Sequence, residues 1–302
     1  MNPDAPVLLE ECRFPAPGTP VALAVSGGPD SLALVLLARE HGLVVSVHHV
    51  DHHARPASGA DAAFVAELCG QLGVVFVGHD VEVAAGANFE ARARSARRAV
   101  LPRGVMTGHT MDDLAETMLV NMLRGAGLDG LSPMVADPTK PLLALRRRHL
   151  REFVAASGWT ARHDESNDDP AFQRNRVRHE LLPLLDDIAR RDVTAVLARQ
   201  AHVIHHERAW LDELARDDVT LTLDEADCRE LRRWPDARLR RWLRATLRSR
   251  DEGDGHHPPS SDELERAVCV VRGAVVATEL SGGRRLSRRG QRLTLTERSP
   301  LR

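Results

Sequence analysis

The strongest constraint on the fold is an apolar run, Val21-Ala22-Leu23-Ala24-Val25, followed directly by Ser26-Gly27-Gly28-Pro29-Asp30-Ser31 and then by Leu32-Ala33-Leu34-Val35-Leu36-Leu37-Ala38. The first run reads as a buried strand and the last as a helix, so the hexapeptide lies on a strand-to-helix turn. A turn of this kind aims unpaired backbone N–H groups, the positive end of a helix dipole and two hydroxyls at one place, which suits a phosphate. Gly27 and Gly28 let the backbone approach the anion with no Cβ in between.

The same alternation continues downstream. Residues 43–48 read as a strand, 60–72 as a helix, 74–78 as a strand, 88–101 as a helix, 104–107 as a short strand and 112–124 as a helix. Strands alternating with amphipathic helices predict an α/β fold, a doubly wound parallel sheet whose ligands bind beyond the C-terminal strand ends. A helix is expected over 146–158, an irregular polar segment over 161–178, a helix from about 181 and a long amphipathic helix over 193–216. The remainder reads as a strand at 221–223, a basic helix over 236–250, a Gly/Pro/His loop, a helix over 262–271, and a hairpin over 275–297 around Ser281-Gly282-Gly283. The expected domains are 1–190 for catalysis, 191–216 as a linking helix, and 217–302 as a small, mostly helical C-terminal domain.

Composition narrows the classes. A chain of 302 residues with 43% hydrophobic and 28% charged residues is long enough for two cored domains and ordinary for a globular protein. No apolar run is long enough to span a bilayer, and the N-terminus has no basic region followed by an apolar core. Cys12, Cys69, Cys228 and Cys269 are scattered and form no C-x-x-C, which argues against a disulfide framework or metal ribbon and fits a reducing cytoplasm. The positive charge is almost all Arg, a residue that forks phosphates and stacks on bases, although genome composition produces the same bias.

The hexapeptide is not a Walker loop, which needs a Lys before its last hydroxyl residue; Lys140 is the only lysine in the chain. Its order resembles the pyrophosphate loop of the ATP pyrophosphatases. Asp30 would repel phosphates unless a divalent cation lay between them, so Asp30 implies Mg²⁺. Four histidines, His48, His49, His52 and His53, end the second strand without a carboxylate cluster of metal-binding spacing, and suit loop ordering better than zinc. Glu90, Arg94 and Arg97 share a helix face at i, i+4 and i+7. Gly108-His109 ends a strand, and Asp113 and Glu116 then lie i, i+3 on one face, placed to meet an ammonium, whereas Asp112 also suits a cap. Arg174, Arg176 and Arg178 alternate in the irregular segment and suit carboxylate or phosphate contacts.

In chain order, 26–31, His49-x-Asp51-His52-x-x-Arg55, Asn88-x-Glu90-x-x-x-Arg94, Gly108-His109-x-x-Asp112-Asp113-x-x-Glu116-Thr117, Arg124-Gly-x-Gly, Asp164-x-Ser166-Asn167 and Arg174-Asn175-Arg176-x-Arg178 resemble the motifs of the tRNA(Ile)-lysidine synthetase family. The resemblance covers about the first 180 residues. Three positions depart from the pattern: Leu114 replaces a common Gln, Arg98 a common aromatic and His53 a common Gly.

The resemblance implies ATP-dependent ligation of free L-lysine to C2 of the wobble cytidine of a CAU-anticodon tRNA(Ile), in the cytoplasm, with ATP and Mg²⁺ and no membrane; a homodimer is compatible with it. By that resemblance Ser26, Gly27, Gly28, Pro29, Asp30, Ser31, His52, Gly108 and His109 meet ATP, with Asp30 on the metal. Asp30, Arg94, Arg97 and Asp113 serve catalysis, while Asp113, Glu116, Arg174, Arg176 and Arg178 bind lysine. Arg233, Arg240, Arg241 and Arg244, with Arg232, Arg238 and Arg248 around them, are candidate tRNA phosphate contacts, and a solvated basic face fits them equally. Two rival activities are a tRNA thiolase of the same loop superfamily, which needs a sulfur carrier, and an ammonia-using synthetase. A third rival is a non-catalytic ATP-binding module, which leaves the acidic pair and the Arg cluster without a task.

Overall fold

The computed structural model describes residues 4–51, 58–81, 89–162, 168–215, 221–223, 225–249 and 259–297, except a few side chains within these spans. They form two compact units, one of residues 1–120 and 133–201, the other of 121–132 and 202–302.

The first unit is built on a parallel sheet. Strands β1 (Pro20–Ala24), β2 (Val44–Asp51), β3 (Val75–Asp80) and β4 (Met106–Thr107) run in the order β3-β2-β1-β4. All three pairings are parallel, with Leu23 beside both Val47 and Met106. This order reverses direction between β1 and β4, and open α/β sheets bind ligands at such a switch point. The connecting helices are α2 (Pro29–Glu40), α3 (Ser58–Leu72) and α4 (Phe89–Val100), preceded by α1 (Ala5–Glu11). Residues 31–38 of α2 are all buried, as befits a helix apolar on every side. One core joins Leu23, Val25, Val45 and Val47 of the strands, Leu32, Leu34 and Leu37 of α2, and Leu150, Phe153 and Val154 of α7 (Arg147–Ala156). Helix α5 (Met111–Leu123) opens just after β4, and α6 (Leu128–Leu131) follows it.

The first of three departures from expectation lies in this unit. Part of the segment expected to be irregular is helical: α8 (Gln173–Arg176) runs through a π turn, Val177–Leu181, into α9 (Leu182–Ala189). Pro183 explains the widened turn, because it has no N–H to donate and its ring crowds the carbonyl four residues back. Helix α10 (Val193–Leu214) comes next.

In the second unit, the helices Asp236–Ser249 and Ser261–Arg272 and strands β5 (Ala277–Leu280), β6 (Arg284–Arg289) and β7 (Arg292–Glu297) share a core around Trp242, Leu243, Leu264, Val271 and Leu286. The tail makes two hairpins rather than one: β5 pairs with β6 across Ser281–Gly283, and β6 pairs again with β7. Residues 221–223 do not form the expected strand. The Thr222 N–H and hydroxyl both donate to Glu225 Oε2, at 3.2 and 2.8 Å, and this local turn replaces strand pairing. No described helix is long and apolar enough to cross a membrane.

Candidate active site

The Val25 N–H donates to the His48 carbonyl at 2.9 Å, carrying the β1 pairing one residue past the strand before the loop opens. Gly27 sits at φ +89°, where a Cβ would be strained and would meet Phe64, Val65 and Arg162. Gly28 is the extended N-cap of α2 and Pro29 its first residue, where the missing N–H costs nothing. The backbone donors such a loop can offer an anion are therefore those of Gly27, Gly28, Asp30 and Ser31, since Pro29 has none. The Ser31 hydroxyl donates to the Gly28 carbonyl at 2.8 Å and lies 3.3 Å from the Ser26 hydroxyl, so it closes the turn on itself.

Gly108 shows how closely the end of β4 approaches this loop. A Cβ on it would lie 2.6 Å from the Asp30 carbonyl oxygen, so only glycine fits. His109 next to it bonds Thr107 Oγ1 through Nδ1 at 2.6 Å. Burial pushes its imidazole down to about 4 despite the pull of Asp113, so it is neutral near pH 7.

Thr110 and Asp113 form a reciprocal cap on α5. The Thr110 N–H and hydroxyl both reach Asp113 Oδ2 at 2.8 Å, and the Asp113 N–H returns to the Thr110 hydroxyl at 3.3 Å. Asp113 Oδ1 accepts from Arg147 Nη2 at 2.9 Å and Arg174 Nη2 at 2.8 Å. Glu116 has no exposed surface. Its Oε1 accepts from Arg147 Nη1 at 2.9 Å and Arg178 Nε at 2.7 Å, and its Oε2 from Arg174 Nε at 2.8 Å and Arg178 Nη2 at 3.0 Å. Burial alone would raise both carboxyls, but the guanidiniums outweigh it and hold both below the usual carboxylate range. The pair expected to meet an ammonium is thus held by arginines, Asp113 by Arg147 and Arg174 and Glu116 by Arg147, Arg174 and Arg178.

The acidic pair is divided in its work. Asp112 accepts from Arg146 Nη2 at 3.1 Å and, through Oδ2, from the Arg147 N–H at 2.8 Å, so it caps α7 rather than its own helix. The helical course of 173–189 explains the arginines. Arg174 and Arg178, at i and i+4, share a face and meet at Glu116. Arg176 falls on the other side and pairs with Glu180 at 2.8 Å, outside the cluster.

Arg147 is the residue that sequence reasoning missed. Besides Asp113 and Glu116 it reaches Asp30, its Nε donating to Oδ2 at 3.1 Å, and it is 11% exposed. Its only local signal is the Arg146-Arg147-Arg148 run opening α7, which reads as a solvated helix start. Asp30 is raised to about 6, by burial above all, with Arg147 pulling it down and Asp113 adding to the rise. Its Oδ1 is buried without a hydrogen-bond partner among the described residues. A buried carboxylate oxygen left open at an anion-binding loop is the donor that a hard divalent cation takes, so the residues fit Mg²⁺.

Asp30, Ser31, His109, Asp113, Arg147, Arg174 and Arg178 line one cleft of about 860 Å³, together with Arg97, Arg151 and Trp159, while Glu116 is fully buried. His52, His53, Arg55, Asn88 and residues 163–167 lie outside the described residues, as do the side chains of Glu90 and Arg94. Leu114, at the position that departs from the family pattern, is buried at 1% exposure, so it packs rather than meeting a ligand. In the second unit Arg240 pairs with Glu265 at 2.7 Å, Arg241 with Asp212, and Arg244 with Asp129; Arg233 is exposed.

A PP-loop domain family matches residues 7–185. The tRNA(Ile)-lysidine synthase of Nocardia farcinica is 35% identical over 310 residues, covering 96% of each chain. That of Thermus thermophilus is 42% identical over 198 residues, covering 61% of this chain but 39% of the relative, so the match spans about two fifths of that protein. Among solved structures, the U34-tRNA thiolase NcsA of Methanococcus maripaludis with its [4Fe-4S] cluster is similar in fold, with a TM-score of 0.55 at 16% identity, covering 67% of this chain and 78% of that one. With the loop at the switch point and the ordered motifs around it, the chain belongs to the tRNA(Ile)-lysidine synthase family of PP-loop proteins.

Proposed function

We propose that the chain joins free L-lysine to C2 of the wobble cytidine of a CAU-anticodon tRNA(Ile), using ATP. The carrying observation is that one cleft holds both an anion-binding loop and a cluster of carboxylates and guanidiniums able to recognise an amino acid.

In the first half-reaction the cytosine O2 attacks the α-phosphorus of ATP. The bond to the bridging oxygen breaks, pyrophosphate leaves, and AMP is joined to the base through O2. The loop N–H groups of Gly27, Gly28, Asp30 and Ser31 hold the departing pyrophosphate. Asp30 Oδ1 would hold Mg²⁺, which supplies charge neutralisation at the phosphates. Arg97, on the cleft wall, offers positive charge where negative charge grows at the α-phosphate, an effect typically worth about 10²–10³ in rate per donor.

In the second half-reaction the ε-amine of lysine attacks C2 and AMP leaves with the oxygen. The amine loses a proton to become a nucleophile, and in this reading Asp113, ionised in this site, accepts it. Arg174 and Arg178 provide the fork for the lysine carboxylate. The neutral His109 lines the cleft without adding a charge. The target base leaves its stack to enter the cleft, which an anticodon loop permits at about a few kcal/mol. In the second unit, the basic helix Asp236–Ser249 contributes tRNA phosphate contacts through Arg240, Arg241 and Arg244, joined by Arg233.

A single-turnover experiment with α-labelled ATP tests this order. Label should attach to the C34 tRNA without lysine and leave as AMP once lysine is added. Label that never reaches the tRNA contradicts the proposal, and label discharged by a sulfur donor but not by lysine points to a thiolase.

A further inference from the structure

Six side chains form one charge-balanced cluster at the cleft, whose lining also carries Asp61, Asp168, Arg97, Arg151 and Arg162. Asp30, Asp113 and Glu116 face Arg147, Arg174 and Arg178, and every one of these six side chains has an ion pair inside the set. Within that set Arg174 and Arg178 touch the acidic pair alone. Arg147 divides its guanidinium, with Nη1 on Glu116, Nη2 on Asp113 and Nε on Asp30, the carboxylate at the head of the phosphate loop. Its backbone is fixed as well, because its N–H is capped by Asp112. The side chain therefore starts from a set position and bridges the phosphate-loop carboxylate to Asp113 and Glu116.

The balance has a consequence for a cationic substrate. L-lysine brings two ammoniums and one carboxylate, so its arrival at Asp113 and Glu116 gives this cluster a net positive charge, in a partly desolvated place where like charges repel more strongly than in water. A polyphosphate on the loop reverses that count. Phosphate oxygens are strong acceptors for a guanidinium, so Arg147 gains a competing partner on the Asp30 side of the cleft and its claim on the acidic pair weakens.

We propose that Arg147 is a positioning residue that couples the two ends of the cleft, keeping Asp113 and Glu116 closed to the substrate ammonium until nucleotide occupies the loop. The inference rests on the lysine-ligase reading above. It predicts ordered binding, with nucleotide first and lysine second. Because coupling of two sites is reciprocal, lysine must also tighten the nucleotide.

The test is a calorimetric titration of L-lysine into the full chain, alone and with Mg²⁺ and α,β-methylene-ATP, repeated with Arg147→Gln and Arg147→Lys. In the wild type the nucleotide analogue should tighten lysine about tenfold or more, within the usual range of site-to-site coupling. Arg147→Gln should bind lysine almost equally with and without the analogue. Arg147→Lys keeps the charge but cannot span three carboxylates, so it should lose most of the coupling and serves if the Gln variant fails to fold. A purely structural role for Arg147 would lower stability and leave the ratio of the two affinities unchanged. Lysine that binds the wild type equally in both states, or coupling that survives in both variants, overturns the inference and leaves the lysine-ligase reading standing. Lysine that binds in neither state, and is not joined to tRNA, overturns both.

Discussion

Two sets of arginines in this molecule make the same kind of bond for different ends. Arg147, Arg174 and Arg178 meet carboxylates that are buried or nearly so, Glu116 having no exposed surface and Asp113 being 13% exposed. Arg240, Arg241 and Arg244 meet Glu265, Asp212 and Asp129, which are 44–57% exposed. A buried carboxylate that loses its partners keeps an uncompensated charge, so the first set loosens only when an incoming charged ligand compensates. An exposed pair is near break-even against water and counterions, so the second set can give up its carboxylates for phosphates at little cost. The first set fixes a site, and the second can exchange partners on a surface.

The sharpest way to break this contrast is Glu116→Ala, which takes Arg178's carboxylate away and leaves Arg147 and Arg174 each with one partner fewer. It should cost about 3–5 kcal/mol of stability by denaturant unfolding, the usual effect of breaking a buried pair. A loss below about 1 kcal/mol would remove the distinction between the two sets. Gly108→Ala should come next. Its Cβ must displace the Asp30 backbone from 2.6 Å, and overpacking of this kind typically costs about 1–3 kcal/mol. Because the loop itself moves, nucleotide affinity should fall with it, and unchanged ATP binding would show that the two backbones need not touch.

The exposed set should respond in the opposite sense. Arg240→Ala and Arg244→Ala should each change stability by less than about 1 kcal/mol. Each should lower the salt slope of tRNA binding by about one, across tRNAs generally. An unchanged slope would assign that helix face to solvent. The smallest effect concerns pH. His109 is held at about 4 against an ordinary 6.5, so its contribution is complete above pH 6.5 and is lost as pH falls toward 4. Asp30, raised to about 6, works in the opposite direction between about 4 and 6. His109→Asn should therefore flatten the rise of melting temperature with pH between 4 and 6.5, most cleanly between 6 and 6.5 where Asp30 contributes least.

Legibility in the sequence followed how local the physics is. The run from Val21 to Ala38 carries its own period, glycines and helix formers, and the parallel sheet and phosphate loop are found where those signals place them. The hairpin at Ser281–Gly283 was readable for the same reason, through glycines at positive φ. Arg147 was not readable, because its partners lie 31 to 117 residues away and nothing near it distinguishes it from Arg146 or Arg148. The alternating Arg174, Arg176 and Arg178 misled because two-residue spacing gives no helical signal, although a helix is what separates Arg176 from the other two. Asp112 and Asp113 are adjacent and alike in sequence, and only the approach of α7 assigns one to a cap and the other to the cleft.

The most direct test of the proposed activity is transfer of labelled lysine to unmodified CAU-anticodon tRNA(Ile) with Mg²⁺ and ATP, beside the same tRNA carrying U at the wobble position. Labelling of the C34 tRNA alone is the predicted result. Absence of labelling from both, with ATP hydrolysed or not, would contradict it.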